Sequence, residues 1–336
     1  APAAIERGVR SNVAAAVRSG ITTLVEPQSG PEDVELYARL LARGELPARM
    51  QVALFHRRGT PEADLDRFAA LRARYADDRL RVSAIKLYID DVIEPHTAAM
   101  LAPYADRPDT SGALLYAPDE FADVLTRLDR RGFQLFVHAI GDRGIRTALD
   151  AFEAARNANG ARDGRHQLVH VEAVSPQDIP RFRELGVTAC MQPRHSAPDI
   201  TGQWARAVGP ERAQYAWALR SLHEAGAPLA FASDWNVAEM EPVIGIYAAM
   251  TRKGLDGKPE GGWIPQQAID LETAIRGYTL GSARANFLDN DRGSVTPGKY
   301  ADLVILSEDL FRIPPEEIKD VRVLLTLVGG RVVHRE

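Results

Sequence analysis

Short apolar runs alternate with longer amphipathic segments along most of the chain. The apolar runs are typical of buried β-strands, and they occupy residues 21–26, 49–55, 82–89, 133–138, 166–171, 187–191 and 229–232. The amphipathic segments are bounded by proline, aspartate or glycine, and they predict helices over residues 2–19, 31–43, 61–75, 118–132, from 142 onwards, 176–185, 210–225 and 271–280. The chain is therefore predicted to be an α/β protein built from strand–helix units.

Seven predicted strands, most of them followed by a helix, favour a (β/α)8 barrel of the TIM type. An open doubly wound sheet is the alternative, but no glycine-rich phosphate-binding loop follows any of the strands. A barrel of only seven strands would leave two strand edges unpaired. Either one strand escapes the sequence pattern, or the first strand of the barrel lies outside this chain.

The pattern changes after residue 285, where turns and extended segments replace the helices. Residues 292–299 are rich in turn formers, residues 301–306 are apolar, and residues 323–333 predict a hairpin around Gly329 and Gly330. Three short strands cannot enclose a core of their own. We therefore expect a barrel domain over residues 1–285 and, over residues 286–336, the C-terminal part of a small β-sandwich domain.

Composition excludes several classes of partner. The chain has 336 residues, of which 45% are hydrophobic and 26% charged, as in ordinary globular proteins. A net charge of −5 gives no reason to expect nucleic acid or an anionic membrane as a partner, and no apolar run approaches the roughly 18 residues of a membrane span. The single cysteine, Cys190, excludes an internal disulfide. With no secretory signal at the start, it favours the cytoplasm.

Four residues lie at the carboxyl ends of predicted strands, where barrel enzymes carry their catalytic groups. Lys86, in an apolar strand, either reaches solvent or an acid, or is carboxylated by CO₂ and binds a metal. His138 and His170 are each typical of hydrogen-bonded structural residues, but equivalent positions on successive strands suit a zinc-like ion. Asp234 is either a turn residue or a carboxylate that touches the metal and accepts a proton from its bound water.

The order Lys, His, His, Asp resembles the amidohydrolase superfamily, and most closely its YtcJ-like branch, which includes the N-substituted formamide deformylases. The resemblance extends over essentially the whole chain. Its motifs are residues 84–90 (AIKLYID), 137–143 (VHAIGDR), 170–172 (HVE), 191–195 (MQPRH), 233–235 (SDW), 298–306 (GKYADLVIL) and 328–333 (VGGRVV).

The resemblance implies a TIM-type barrel with a site for one or two divalent metal ions, zinc being the expected ion. Its ligands would be Lys86 in N6-carboxylated form on strand four, His138 on strand five, His170 on strand six and Asp234 on strand eight. Asp234 would also act as the general base. The residues expected to contact the substrate are His195, Tyr88 and Trp235.

The chain departs from the family pattern in three places. The family's first strand ends in a His-X-His metal-binding pair, and neither that pair nor the N-terminal β segment occurs in these residues. Asp91 stands where glycine is common in the family. The expected partner, besides a small-molecule substrate, is therefore an N-terminal segment that completes the barrel or a second copy in a homodimer.

The predicted function is metal-dependent hydrolysis of a C–N, amide-type bond, other than a peptide bond, in a small molecule. Two alternatives stay open. A truncated barrel lacking the His-X-His pair would bind without turnover, and a metal-free lyase or isomerase would use Lys86 as a Schiff-base nucleophile. Cys190 and the remaining histidines, including His56 at a strand end, are predicted to be structural.

Overall fold

Seven parallel strands form one curled sheet, in which each strand is hydrogen-bonded to the next in chain order. The computed structural model describes residues 2–336. The strands are β1 (Thr23–Ser29), β2 (Arg49–Phe55), β3 (Leu80–Tyr88), β4 (Gln134–Ala139), β5 (Gln167–His170), β6 (Thr188–Met191) and β7 (Leu229–Phe231). Each overlaps its predicted segment, and the α/β class is confirmed.

Helices connect the strands and continue after the last one. They are α1 (Pro2–Arg18), α2 (Pro31–Ala42), α3 (Glu62–Arg74), α4 (Pro118–Arg130), α5 (Asp142–Asn159), α6 (Ile179–Leu185), α7 (Gly202–Val208), α8 (Pro210–Ala213), α9 (Leu219–Glu224), α10 (Pro242–Thr251), α11 (Leu271–Arg276) and α12 (Ser282–Ala285). Within the described residues, no helix is both long and apolar enough to span a membrane.

Two predicted helices differ from the structure. The continuous helix expected over residues 210–225 is wrong, because the chain leaves helical geometry between α8 and α9. There Ala216 forms an isolated bridge with Ala173, and the Trp217 amide donates to the Glu172 carbonyl at 2.8 Å. The helix expected over residues 271–280 becomes α11, a π-turn at Gly277–Gly281 and α12. A side chain at Gly277 would collide with the Phe231 ring.

Helix α4 shows how the outer layer is held. Pro118 occupies its first turn, where a missing N–H costs nothing. Its buried apolar residues recur at helical spacing and face the sheet and α5: Phe121, Val124, Leu125 and Leu128. Burying each such side chain contributes roughly 1.5–3 kcal/mol.

The concave interior of the sheet carries a small apolar layer beneath the strand ends. Ala53, Ala84, Phe136 and Val169 pack there, with Cys190 against them. Burial raises the pKa of the Cys190 thiol to about 12, so the residue serves as packing and not as a nucleophile. The next side chains on the same face of β3 and β4, those of Lys86 and His138, therefore lie above this layer, at the open end of the sheet.

The sheet is not closed within the described residues, because β1 and β7 are its two ends and do not pair with each other. That the strand needed to close the barrel is its first, lying outside this chain, stays a prediction, as does the domain division at residue 285.

The predicted C-terminal β segment is confirmed as a separate antiparallel sheet of β8 (Leu303–Leu306), β9 (Val323–Val328) and β10 (Arg331–Arg335). It packs on α1, where the Thr326 hydroxyl donates to the Val17 carbonyl at 2.7 Å. The buried Arg49–Asp302 pair, at 2.8 Å, ties it to β2.

Candidate active site

A continuous cavity of about 1680 Å³ opens at the carboxyl ends of the strands and extends along the open side of the sheet. Strand register explains why the predicted residues meet there, since Tyr88 pairs with His138 and Ala139 pairs with His170. All the predicted site residues line this cavity: Lys86, Tyr88, His138, His170, His195, Asp234 and Trp235.

Lys86 lies on β3 just above the apolar layer, and only 2% of it is exposed. Its Nζ is 4.9 Å from the centroid of the Tyr88 ring. Burial lowers the pKa of Lys86 to about 8, because a charged amine is poorly solvated there. The lysine therefore points into the site and not towards solvent.

His138 is held between Tyr88 and His170. Its ring stacks on Tyr88 at 4.4 Å between centroids and meets His170 edge-on at 4.6 Å. Nε2 lies 3.1 Å from the Asp91 carbonyl, and a carbonyl only accepts, so Nε2 carries the proton. Nδ1 is left with a lone pair, and it is buried without a hydrogen-bond partner among the described residues. Burial and the Lys86 charge lower the pKa of His138 to about 3.

His170 ends β5 in a left-handed backbone conformation, with φ of 84°. Its Nδ1 lies 2.9 Å from the Gln192 amide oxygen, which leaves Nε2 unprotonated. Burial and the neighbouring His138 hold the pKa of His170 well below its usual value. Both strand-end histidines are therefore neutral and each presents one lone pair, the form in which imidazole binds a metal.

His195 and Asp234 complete the site from two loops. His195 lies in the short turn Pro193–Ser196 after β6, and Asp234 follows β7 with φ of 58°. Ligand atoms of His170, His195 and Asp234 lie within 4.8 Å of one another, a grouping that could hold a metal ion. Sequence reasoning placed His195 only against the substrate. Its position four residues beyond the end of β6 gave no signal that it reaches the same point as His170.

Tyr88 and Trp235 lie at the rim of the cavity. The Tyr88 hydroxyl donates to the Gln28 side-chain oxygen at 2.6 Å, which fixes the ring over Lys86. Trp235 is 52% exposed and Val237 is 71% exposed. The mouth is therefore apolar on the side next to Asp234.

Asp90 holds the backbone that follows the His138 strand, a role that sequence reasoning missed. Its fully buried carboxylate accepts hydrogen bonds from the amides of Ala99, Ile140 and Gly141 at 2.9–3.1 Å. The last two amides directly follow the strand that carries His138. Asp142 is the first residue of α5, and Gly141 is its N-cap.

His56 lies away from the cavity. Only 2% of it is exposed, and burial lowers its pKa to about 4, helped by the nearby Arg127 charge. Both of its ring nitrogens lack partners among the described residues. It is a neutral residue of the layer between strand and helices, outside the group that faces Lys86.

Comparison with known proteins identifies the family of the chain. A model of the amidohydrolase family matches residues 1–334. The chain is 35% identical over 258 residues to Protein LONG AFTER FAR-RED 3 of Arabidopsis thaliana, covering 76% of this chain and 43% of that protein. It is 26% identical over 303 residues to the putative amidohydrolase YtcJ of Bacillus subtilis, covering 90% and 55%. Identity to the N-substituted formamide deformylase of Arthrobacter pascens is 26% over 316 residues, covering 93% and 57%.

A solved structure has the same fold. The uncharacterized metal-dependent hydrolase from Pyrococcus furiosus matches with a TM-score of 0.75 and 26% identity, over 88% of this chain and 58% of that one. The chain spans about half the length of the curated relatives named above. The family model covers nearly all of the chain, and the fold agrees with that of the solved structure. The chain belongs to the amidohydrolase family.

Proposed function

We propose that this protein is a metal-dependent hydrolase that cleaves a C–N, amide-type bond of a small molecule with metal-activated water. The convergence of His170, His195 and Asp234 within 4.8 Å carries the proposal. The family match and the metal-dependent hydrolase neighbour support a hydrolase, and the deformylase relative supports a C–N bond. The single cysteine, Cys190, is a free thiol, which is compatible with the reducing cytoplasm and supports that compartment as the site of action.

The side chains fit a divalent ion of the zinc type. Imidazole nitrogen and carboxylate oxygen are its usual protein ligands, and His138 offers a buried nitrogen with no other partner among the described residues. The proposed ligands are Lys86 in N6-carboxylated form, His138, His170 and Asp234. Of these, His170 and Asp234 belong to the group within 4.8 Å, and His195, its third member, is proposed to face the substrate. When bound, such an ion makes hydroxide available near neutral pH and polarises the substrate carbonyl.

Carboxylation suits the surroundings of Lys86. A buried ammonium is poorly solvated at this position, and burial accordingly lowers the pKa of Lys86 to about 8. A carboxylated lysine would instead present an anion on the same side of the cavity. Burial beneath Tyr88 also keeps bulk water away from it.

Asp234 is proposed as the general base. Its side chain is about one-third exposed, at 34%, and lies 4.0 Å from His170 Nδ1. It can accept a proton from the attacking water and deliver it to the leaving nitrogen. His195, Tyr88 and Trp235 are proposed to contact the substrate, with Trp235 covering an apolar substituent at the exposed rim.

The test is metal content and turnover measured on the same samples. The chain is reconstituted with zinc and bicarbonate, assayed for bound metal, and screened for amine release from N-formyl and N-acyl amines. We expect His170→Asn to lose metal, and Asp234→Asn to lose about 100-fold or more in kcat while its metal content falls less. His223→Asn, at an exposed position on α9, is the matched control. A folded chain that binds no metal would overturn the proposal.

A second candidate function, binding without turnover, is favoured by the open side of the sheet between β1 and β7. It predicts bound metal but no amine release from any substrate. We also propose that this open side is covered in the active protein, either by a further polypeptide strand or by a second copy. Light scattering distinguishes the two, because a homodimer has twice the 36.8 kDa mass of the chain.

A further inference from the structure

Glu172 is a buried carboxylate on the cavity wall that the proposed metal ligands do not use. Only 7% of it is exposed. One oxygen, Oε2, accepts a hydrogen bond from Trp204 Nε1 at 2.9 Å. The other, Oε1, lies 4.0 Å from His195 Nδ1. A buried carboxylate is costly unless it is paired, so these two neighbours account for its place in the fold.

His195 turns its two ring nitrogens to different surroundings. Nδ1 faces Glu172, whereas Nε2 is buried and has no hydrogen-bond partner among the described residues. The ring lines the cavity, and one of its nitrogens belongs to the group with His170 and Asp234. The turn fixes the backbone, since the His195 amide donates to the Gln192 carbonyl at 3.0 Å. Only rotation of the side chain remains to be set.

We propose that Glu172 is a positioning residue that holds His195 through Nδ1 and so directs Nε2 at the reacting centre. At 4.0 Å the two atoms are near each other but beyond hydrogen-bond distance. A small rotation of the His195 ring lets the carboxylate accept the Nδ1 proton, and this fixes the tautomer with a lone pair on Nε2. That nitrogen then accepts a hydrogen bond from the attacking water or from the N–H of the substrate. The catalytic part of this inference rests on the proposed function, but the Glu172–His195 contact does not.

The carboxylate is backed by a rigid aromatic cluster. Trp204 packs on Trp217 at 4.9 Å and on Trp263 at 6.0 Å between ring centroids. The Trp217 amide also donates to the Glu172 carbonyl, and the buried Arg252 side chain donates to the Ala216 carbonyl at 3.1 Å. Glu172 is therefore anchored at its backbone and at one oxygen, which leaves the other oxygen for His195.

A double-mutant cycle tests whether Glu172 acts through His195. Glu172→Gln keeps the shape and the bond from Trp204 but removes the charge, and we expect kcat/KM to fall by about 10- to 100-fold, mainly in kcat. His195→Gln should fall at least as far. The double variant should be no worse than His195→Gln alone, because the two act as one unit. Losses that multiply would overturn the proposal. Glu224→Gln, exposed on α9, is the matched control and should leave activity unchanged.

The tautomer gives a readout that does not depend on turnover. The side-chain ¹⁵N resonances of His195 in the full chain are assigned by their loss in His195→Gln. We expect a protonated Nδ1 and an unprotonated Nε2, a shifted tautomer balance in Glu172→Gln, and no change in Glu224→Gln. An unchanged His195 spectrum in Glu172→Gln would refute the contact. If that variant does not fold, Trp204→Phe, which removes the bond to Oε2 and trims the ring that packs on Trp217, should shift the same resonances, and no shift there would refute it. A wild-type chain without metal or turnover would defeat the proposed function alone.

Discussion

Replacing Asp129 by asparagine tests the foundation under the two strands that carry His138 and His170. The Asp129 side chain is 4% exposed. It accepts hydrogen bonds from Arg162 Nε at 2.6 Å, His166 Nε2 at 3.1 Å and Asn159 Nδ2 at 2.8 Å. Arg162 also binds the Phe133 carbonyl just before β4, and the Leu135 amide of β4 donates to His166 Nδ1. One carboxylate thus links α4, α5 and the starting ends of β4 and β5.

The magnitude follows from the pKa of Asp129. Burial alone would raise it, but the bonds from His166, Asn159 and Arg162 lower it to about 2 from 3.8. A shift of that size corresponds to about 2 kcal/mol, and we discount it to roughly 1–2 kcal/mol because solvent screens the partly exposed Arg162. Asparagine would also leave one buried donor unmatched, at a further cost of about 1 kcal/mol or more. We expect Asp129→Asn to lower the free energy of unfolding by about 2–3 kcal/mol at pH 7.

The stability difference between wild type and Asp129→Asn should depend on pH. Because the pKa of Asp129 is lower in the folded chain than in the unfolded chain, its ionised form stabilises the fold at every pH above the unfolded pKa of about 3.8. This contribution is lost as the pH falls towards the folded pKa of about 2. Urea unfolding of wild type and variant from pH 7 to pH 3 should therefore show a gap that is constant down to about pH 5 and then narrows. Asp123→Asn, exposed on the same helix, should show no gap. A constant gap down to pH 3, or equal stability at pH 7, would refute the reasoning.

Three other changes have specific outcomes. Arg252→Met should lower the free energy of unfolding by about 2–4 kcal/mol, since the fully buried guanidinium donates to the carbonyls of Ala216 and Trp263. Urea unfolding measures it, with Arg312→Met, at an 85% exposed side chain, as the control. If Arg252→Met were as stable as wild type, the prediction would be wrong. Trp235→Ala should raise KM about fivefold for substrates with an apolar substituent at unchanged kcat and melting temperature, and an unchanged KM would place the substituent elsewhere. Chelation of a zinc-loaded sample should lower its melting temperature, because an ion bound only by the folded state stabilises it; an unchanged melting curve would mean that no such ion is bound.

Much of the fold was predictable because local pattern and tertiary role agree. Residues 49–55 are apolar apart from Arg49 and Gln51, and β2 occupies that range. The strand-end histidines were predictable for the same reason, since parallel register brings the ends of neighbouring strands to one level. Whether those residues bind a metal stays a prediction, although His138 and His170 lie edge to face.

The parts that sequence reasoning missed depend on contacts between distant residues. Helical geometry is interrupted between α8 and α9 where the Trp217 amide donates to the Glu172 carbonyl. Helix propensity is a local property and does not predict such a bond. The closeness of His195 to Asp234 is set by two loops of different length. Glu172 has its partner, Trp204, 32 residues away. Side-chain pairs of this kind leave no periodic signal in one sequence.

Backbone strain at the site connects its geometry to the core behind it. His170, Val171 and Asp234 all have left-handed φ values, at 84°, 51° and 58°, and each such residue costs roughly 1–3 kcal/mol. Val171 is the hardest to accommodate, because a β-branched side chain crowds that conformation. Strain of this kind persists only where the surroundings hold it. Here the Val171 amide donates to the Ala139 carbonyl at 3.1 Å, and the residues that follow it are held by the aromatic cluster.

That aromatic cluster therefore helps to position the residues that follow His170. Arg252 has no acidic partner among its hydrogen bonds and donates to backbone carbonyls instead. Burial lowers the pKa of its guanidinium to about 9. One of those carbonyls belongs to Trp217, whose amide holds Glu172 two residues beyond His170. We expect Arg252→Met to weaken the Trp217–Glu172 hydrogen bond next to these left-handed residues. Arg252→Met should therefore weaken metal binding at His170 as well as the fold, and an unchanged metal content in the folded variant would contradict this.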